Sequence, residues 1–173
     1  MVAVDISDLT RFRKTVQRRT RLIRIFLRVN RERSANSRHS RRKGANDMNY
    51  ELEASFASLE ENGESLVLAF AADESGAGKY VMLQFPLRAE EQDRRLGMDG
   101  LYVECDDQSR GCYLGVESIR RAGDRIEIGL TEKGKQSLKV QHVCIIPMSW
   151  GPTITQGLAR LDALSNGEYN VQL

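Results

Sequence analysis

From Met48 onward the chain is written in short apolar runs separated by turn residues, a texture that predicts strands. MNYELEASFASLEE, residues 48–61, predicts a strand ending at Asn62-Gly63, a dipeptide favoured in hairpin turns. ESLVLAFAA predicts an apolar strand, ESGAGK a flexible loop, and YVMLQFPL a strand closed by Pro86, which cannot donate to a ladder. RAEEQDRR has no apolar stripe and predicts a short exposed helix or loop. LYVEC and CYLGVESI predict a hairpin around the polar turn DDQSRG. RIEIGL alternates cleanly, with Ile126, Ile128 and Leu130 on one face and Arg125 and Glu127 on the other, the pattern of a half-buried antiparallel strand. TEKGKQSLKV predicts a helical turn and HVCIIP an apolar strand. In the tail, Ile154, Leu158, Leu161 and Leu164 recur at helical spacing, with Gly167 placed as a C-cap. The sum is an α+β fold: a mostly antiparallel sheet of about six or seven strands, with a C-terminal amphipathic helix packed on it.

Charge divides the chain in two. Residues 1–47 hold 14 Lys and Arg against 4 Asp and Glu, a net +10; residues 48–173 hold 12 against 20, a net −8. The first part is a basic, Arg-rich extension, and the second is the α+β domain. Leu9, Phe12, Val16, Ile23 and Phe26 or Leu27 allow an amphipathic helix over residues 7–30, as a nucleic-acid arm or a helix lying on a membrane surface. The competing expectation is that residues 1–47 are disordered or a mis-assigned start. Twelve arginines and the run SANSRHSRRK resemble translated GC-rich upstream DNA. Lys43-Gly44-Ala45-Asn46-Asp47 can also be encoded with AAGGAG, a ribosome-binding sequence, just before Met48.

Familiar catalytic and metal patterns are missing. SGAGKY departs from the phosphate-loop pattern twice: Asp73 stands at the first glycine position and Tyr80 at the Mg²⁺-binding hydroxyl. Cys105, Cys112, His142 and Cys144 have zinc-ligand chemistry but no common zinc spacing. Buried thiols in a reducing cytoplasm are the simpler expectation, and that compartment opposes a Cys105–Cys112 disulfide. After Met48 the one histidine is His142, and no G-x-S-x-G elbow appears. A non-enzymatic protein without cofactor or metal is expected, with no apolar window long enough for a membrane span.

The hairpin of residues 101–119 carries the richest surface chemistry. Alternation puts Leu101, Val103 and Cys105 on one face and Tyr102 and Glu104 on the other, with Tyr113 and Glu117 sharing a face of the second strand. Asp106, Asp107 and Arg110 fall at the tip. Tyrosines offer contact area at low entropy cost and acids steer a basic partner, so Tyr102, Glu104, Asp106, Asp107, Arg110, Tyr113 and Glu117 form a candidate partner-binding set. The alternative is a hairpin whose tyrosines are core and whose acids keep it soluble.

EEQDRRLGMDGLYVECDDQSRGCYLGVESIRRAGDRIEIGLTEKGKQSL, residues 90–138, resembles the immunity protein 10 family of bacterial polymorphic toxin systems. The likeness lies in the acidic E-Q-D, then L-G-M-D, a strand, a polar turn and Y-x-G-[VI]-E-S leading to an alternating strand. With weaker matches around it, the resemblance covers most of residues 48–173 and none of residues 1–47. The family's Y-G-G is Y-L-G here, with Leu114 in the middle. The resemblance implies an α+β immunity protein that binds and neutralises a cognate toxin without catalysis. The acidic domain suits a basic toxin and disfavours nucleic acid. A nucleic-acid-binding protein using the basic arm and a small-ligand-binding domain are the alternatives.

Overall fold

The computed structural model describes residues 49–74 and 78–173. The helix expected over residues 7–30 lies outside them, as does the middle of the ESGAGK loop.

Strand β1 (Asn49–Ala54) alternates as its sequence demands, with Tyr50, Leu52 and Ala54 buried. It stops at Ser55, whose hydroxyl donates to the Ala72 carbonyl at 2.6 Å, and β2 (Phe56–Glu61) continues in a different sheet. The turn after β2 falls at Asn62-Gly63 as expected. The Asn62 side-chain oxygen accepts from the backbone N–H groups of Glu64 and Ser65, both at 2.9 Å, and so fixes the entry to β3 (Ser65–Ala71). Strand β4 (Tyr80–Pro86) follows, then α1 (Glu91–Arg95), a single exposed turn held by a reciprocal Glu90–Asp93 capping box.

Then come β5 (Tyr102–Cys105), β6 (Asp107–Tyr113), β7 (Val116–Ala122), β8 (Arg125–Leu130), α2 (Glu132–Leu138), β9 (His142–Pro147), α3 (Pro152–Leu164) and β10 (Asn170–Gln172). The ten strands make two five-stranded sheets. In the first, the order is β1-β9-β8-β7-β10, with β1 parallel to β9 and β10 parallel to β7. The second, β2-β3-β4-β5-β6, is an antiparallel meander.

The expected single sheet is therefore two sheets, for a specific reason. Two runs that read as continuous strands, residues 48–61 and 112–119, are each cut in the middle, at Ser55 and at Leu114-Gly115, and each half joins a different sheet. One core fills the space between. Leu66, Leu68, Phe70, Val81, Leu83 and Val103 come from the second sheet, and Leu52, Ile119, Ile126, Ile128, Val143 and Ile145 from the first. Burial of such side chains contributes roughly 1.5–3 kcal/mol each.

Helix α3 adds Ile154, Leu158 and Leu161 to this core, the stripe its periodicity predicts, and leaves Leu164 half-buried. Gly157 lets it approach the second sheet: a Cβ there would fall 2.7 Å from Leu68 Cδ1. The helix caps at Ser165 rather than Gly167; Asn166 and Gly167 follow with φ of 46° and 82° and turn the chain away. Tyr169 then donates to the Leu161 carbonyl at 2.7 Å and guides β10 to its place beside β7.

Candidate functional site

Hairpin β5–β6 pairs Tyr102 with Tyr113, Val103 with Cys112 and Glu104 with Gly111. The register shifts between Glu104 and Cys105, leaving Asp106 to make the turn alone at φ 63°. Most of the expected turn DDQSRG is therefore strand. Alternation holds: Val103, Cys105 and Cys112 enter the core, while Tyr102, Glu104 and Tyr113 share the opposite face.

On that face the two tyrosine rings lie 4.9 Å apart, tilted by 51°. Tyr102 extends over Gly111, where a Cβ would fall 2.3 Å from the phenol oxygen. Its hydroxyl donates to Glu104 Oε2 at 2.7 Å, and Tyr80 donates to Oε1. Glu104 is 5% exposed. Burial pushes its carboxyl up, against the pull of the two phenol hydrogen bonds, and the charge of Asp107 adds to the rise. Burial and the neighbouring Glu104 hold both phenols well above their ordinary range. The two phenols thus hold the Glu104 carboxyl in place from both sides.

Asp106 and Arg110 are structural ties. The Asp106 carboxylate accepts from the Tyr50 hydroxyl, from Tyr80 N at 3.0 Å and from Arg110 Nη1 at 3.0 Å. Tyr50 belongs to the first sheet and the other partners to the second, so this carboxylate joins the two. Arg110 Nε also donates to the Leu138 carbonyl at the end of α2, at 3.1 Å, and its guanidinium lies 5.6 Å from the Tyr50 ring centroid. Asp107 is exposed at the tip, its carboxyl held below the usual range by hydrogen bonds from Ser109. Glu117 stands apart, exposed on β7 in the first sheet. Its expected grouping with Tyr113 is corrected by the crossover at Leu114-Gly115.

That crossover is itself tightly built, and nothing in the periodicity marks it. Leu114 has φ 58°, a left-handed conformation costing a leucine about 1–2 kcal/mol. It is held there because its N–H donates to the Leu101 carbonyl at 2.8 Å and its carbonyl accepts from the Thr131 hydroxyl at 3.1 Å. Thr131 also caps α2, accepting from Gly134 N at 3.2 Å, and its N–H donates to the Gly115 carbonyl at 3.0 Å. Gly115 and Gly134 meet backbone to backbone: a Cβ on Gly134 would fall 2.1 Å from the Gly115 oxygen. The usable sequence signal was chemical, the T-E-K-G cap and the glycine after Leu114.

The cysteines are dispersed. Cys105 and Cys112 face the core from the hairpin, and Cys144 lies in β9 of the first sheet, in register beside Glu51 and Glu127. All three are free and buried. Burial pushes the Cys105 thiol up to about 12 and raises Cys144 as well, so both carry their protons at neutral pH. Among the described residues no group of three or more His, Cys, Asp or Glu is arranged to hold a metal ion. None of their helices is long and apolar enough to cross a membrane.

No curated protein and no solved structure matches this sequence. The model of the family described as Immunity protein 10 matches residues 53–150, which include the run 90–138 with its hairpin and crossover. That span exceeds half of the 173 residues, and the chain belongs to the Immunity protein 10 family.

Proposed function

We propose that the domain binds and neutralises a cognate toxin of a bacterial polymorphic toxin system, acting by occlusion and without chemistry of its own. The family match is the observation that carries this reading. Charge supports it: residues 48–173 carry a net −8, which favours a basic partner and speeds its encounter. The held tyrosine surface supports it too. Tyr102 and Tyr113 are half-buried and fixed against each other, which lowers the ordering cost of an interface, and Asp107 offers an exposed charge at the rim. The reduced, buried state of Cys105, Cys112 and Cys144 suits action in the cytoplasm.

A small-ligand role has weaker support. A cavity of about 120 Å³ lined by Ser55, Phe56, Ser149, Gly151 and Thr153 is small beside ligand pockets of roughly 300–1,000 Å³.

Co-expression with the toxin encoded beside this gene tests the proposal. The expected results are survival of the host and a complex that persists through size-exclusion chromatography. Continued killing, with no complex recovered, would remove the toxin-binding reading altogether. With binding established, Asp107→Asn, which removes the charge and keeps an oxygen to accept from Ser109 N, should slow association with a cationic toxin without altering the fold.

A further inference from the structure

The exposed large apolar side chains among the described residues include Leu96, at 51% exposure, and Leu114, at 40%. The fold lays Leu114 against the loop that follows Leu96. A Cβ on Gly97, the residue after Leu96, would sit 3.9 Å from Leu114 Cδ1, and one on Gly100 would sit 2.2 Å from Leu114 Cδ2. Leu114 therefore lies across the loop of residues 97–100, which is free of side chains at both points where the leucine crosses.

Two acids border this spot. A Gly100 Cβ would also fall 3.0 Å from Glu168 Oε2, so Glu168 flanks the leucine, and Asp99 precedes Gly100 in the loop. Burial and the charge of Asp99 push the Glu168 carboxyl up. Among the described residues neither acid makes an ion pair.

Leu114 is a costly residue for its place. The backbone there is forced to positive φ, which glycine adopts freely, and the leucine side chain, though it rests on the 97–100 loop, keeps 40% of its surface exposed. An apolar anchor beside unpaired acids is the complement of an apolar side chain beside a lysine or arginine. Resting on the neutralisation reading above, we infer that Leu114 and the 97–100 loop beneath it, bordered by Asp99 and Glu168, form a contact surface for the cognate toxin, with Leu114 a specificity-determining anchor.

The test measures affinity for the toxin encoded beside this gene together with thermal unfolding of the immunity protein alone. Leu114→Gly relieves the backbone strain. It is expected to leave the unfolding midpoint within about 2 °C of the parent or raise it, while affinity falls about tenfold or more, as for an interface anchor. Unchanged affinity would overturn the inference, and so would a collapsed midpoint, which would make Leu114 a packing residue. The double variant Asp99→Asn, Glu168→Gln tests the charged border independently: association should slow and its salt dependence weaken, and an unaltered rate would count against the assignment. Sedimentation of the protein alone guards against a different occupant. A self-associated parent that Leu114→Gly dissociates would give the surface to a second copy of this chain and overturn the toxin assignment. Absence of any complex with the parent protein would instead sink the neutralisation reading, and this inference with it.

Discussion

Glu104 is 5% exposed, with a phenol donating to each carboxylate oxygen. Burial outweighs those two hydrogen bonds, so its folded-state proton affinity exceeds that of an unfolded glutamate. The folded state then binds more protons than the unfolded one over the interval between the two pKa values. The stability contributed by protonated Glu104 is complete below about pH 4.3, the ordinary glutamate value, and is lost as pH rises through the raised folded value. Glu104→Gln, which keeps the shape and cannot ionise, should flatten that decline. Urea unfolding of parent and variant at steps from pH 4 to pH 8 reads the difference directly, and parallel stability curves would refute it. Glu168 is also raised, but it is not among the groups that shift Glu104 and cancels in the comparison; Asp107 is lowered and coupled to Glu104, so its titration belongs to the difference that is read. The sequence placed Glu104 on the tyrosine face correctly through alternation alone. It could not reveal burial, because one of the two covering phenols, Tyr80, comes from 24 residues earlier in the chain. The same holds for Asp106, whose tie to Tyr50 spans 56 residues.

At the scale of elements, α2 is positioned by a backbone contact as well as by its buried Leu138. Gly134 has the Gly115 carbonyl 2.1 Å from where its Cβ would stand, and a carbonyl within a fixed crossover cannot yield as a flexible side chain can. Gly134→Ala should therefore destabilise the protein by about 1–3 kcal/mol, despite alanine's better helix propensity, since overpacking outweighs a gain of about 1 kcal/mol. A chemical denaturation midpoint equal to or above the parent's would refute this. Elements whose information is local were readable: β8 from its alternation, α3 from its apolar stripe, and the first hairpin from Asn62-Gly63. Elements defined by partners were not. Ser55 and Leu114-Gly115 redirect the chain between sheets through bonds to Ala72, Leu101 and Thr131, none of them a sequence neighbour. Strand β10 is three residues long and exists through its parallel pairing with β7, so no periodicity could mark it.

For the whole molecule the decisive quantity is how charge is divided. The complete sequence is close to neutral at net +2, yet residues 48–173 alone carry −8. A cationic partner senses the summed field at long range, so residues 1–47, where present, cancel the attraction that the acidic domain exerts. This gives the two expectations for that segment different consequences. If residues 1–47 are upstream sequence without a role, a protein beginning at Met48 protects as well as the longer chain and binds the toxin faster at low salt. Surface charges are screened beyond about 10 Å at 0.1 M salt, so the two association rates should converge as salt rises toward about 0.5 M, while dissociation rates stay equal throughout. Stopped-flow association of each form with the cognate toxin across that range makes the comparison. A shorter form that associates more slowly, or that fails to protect a host making the toxin, would assign the basic segment a working part in neutralisation and restore it to the functional protein.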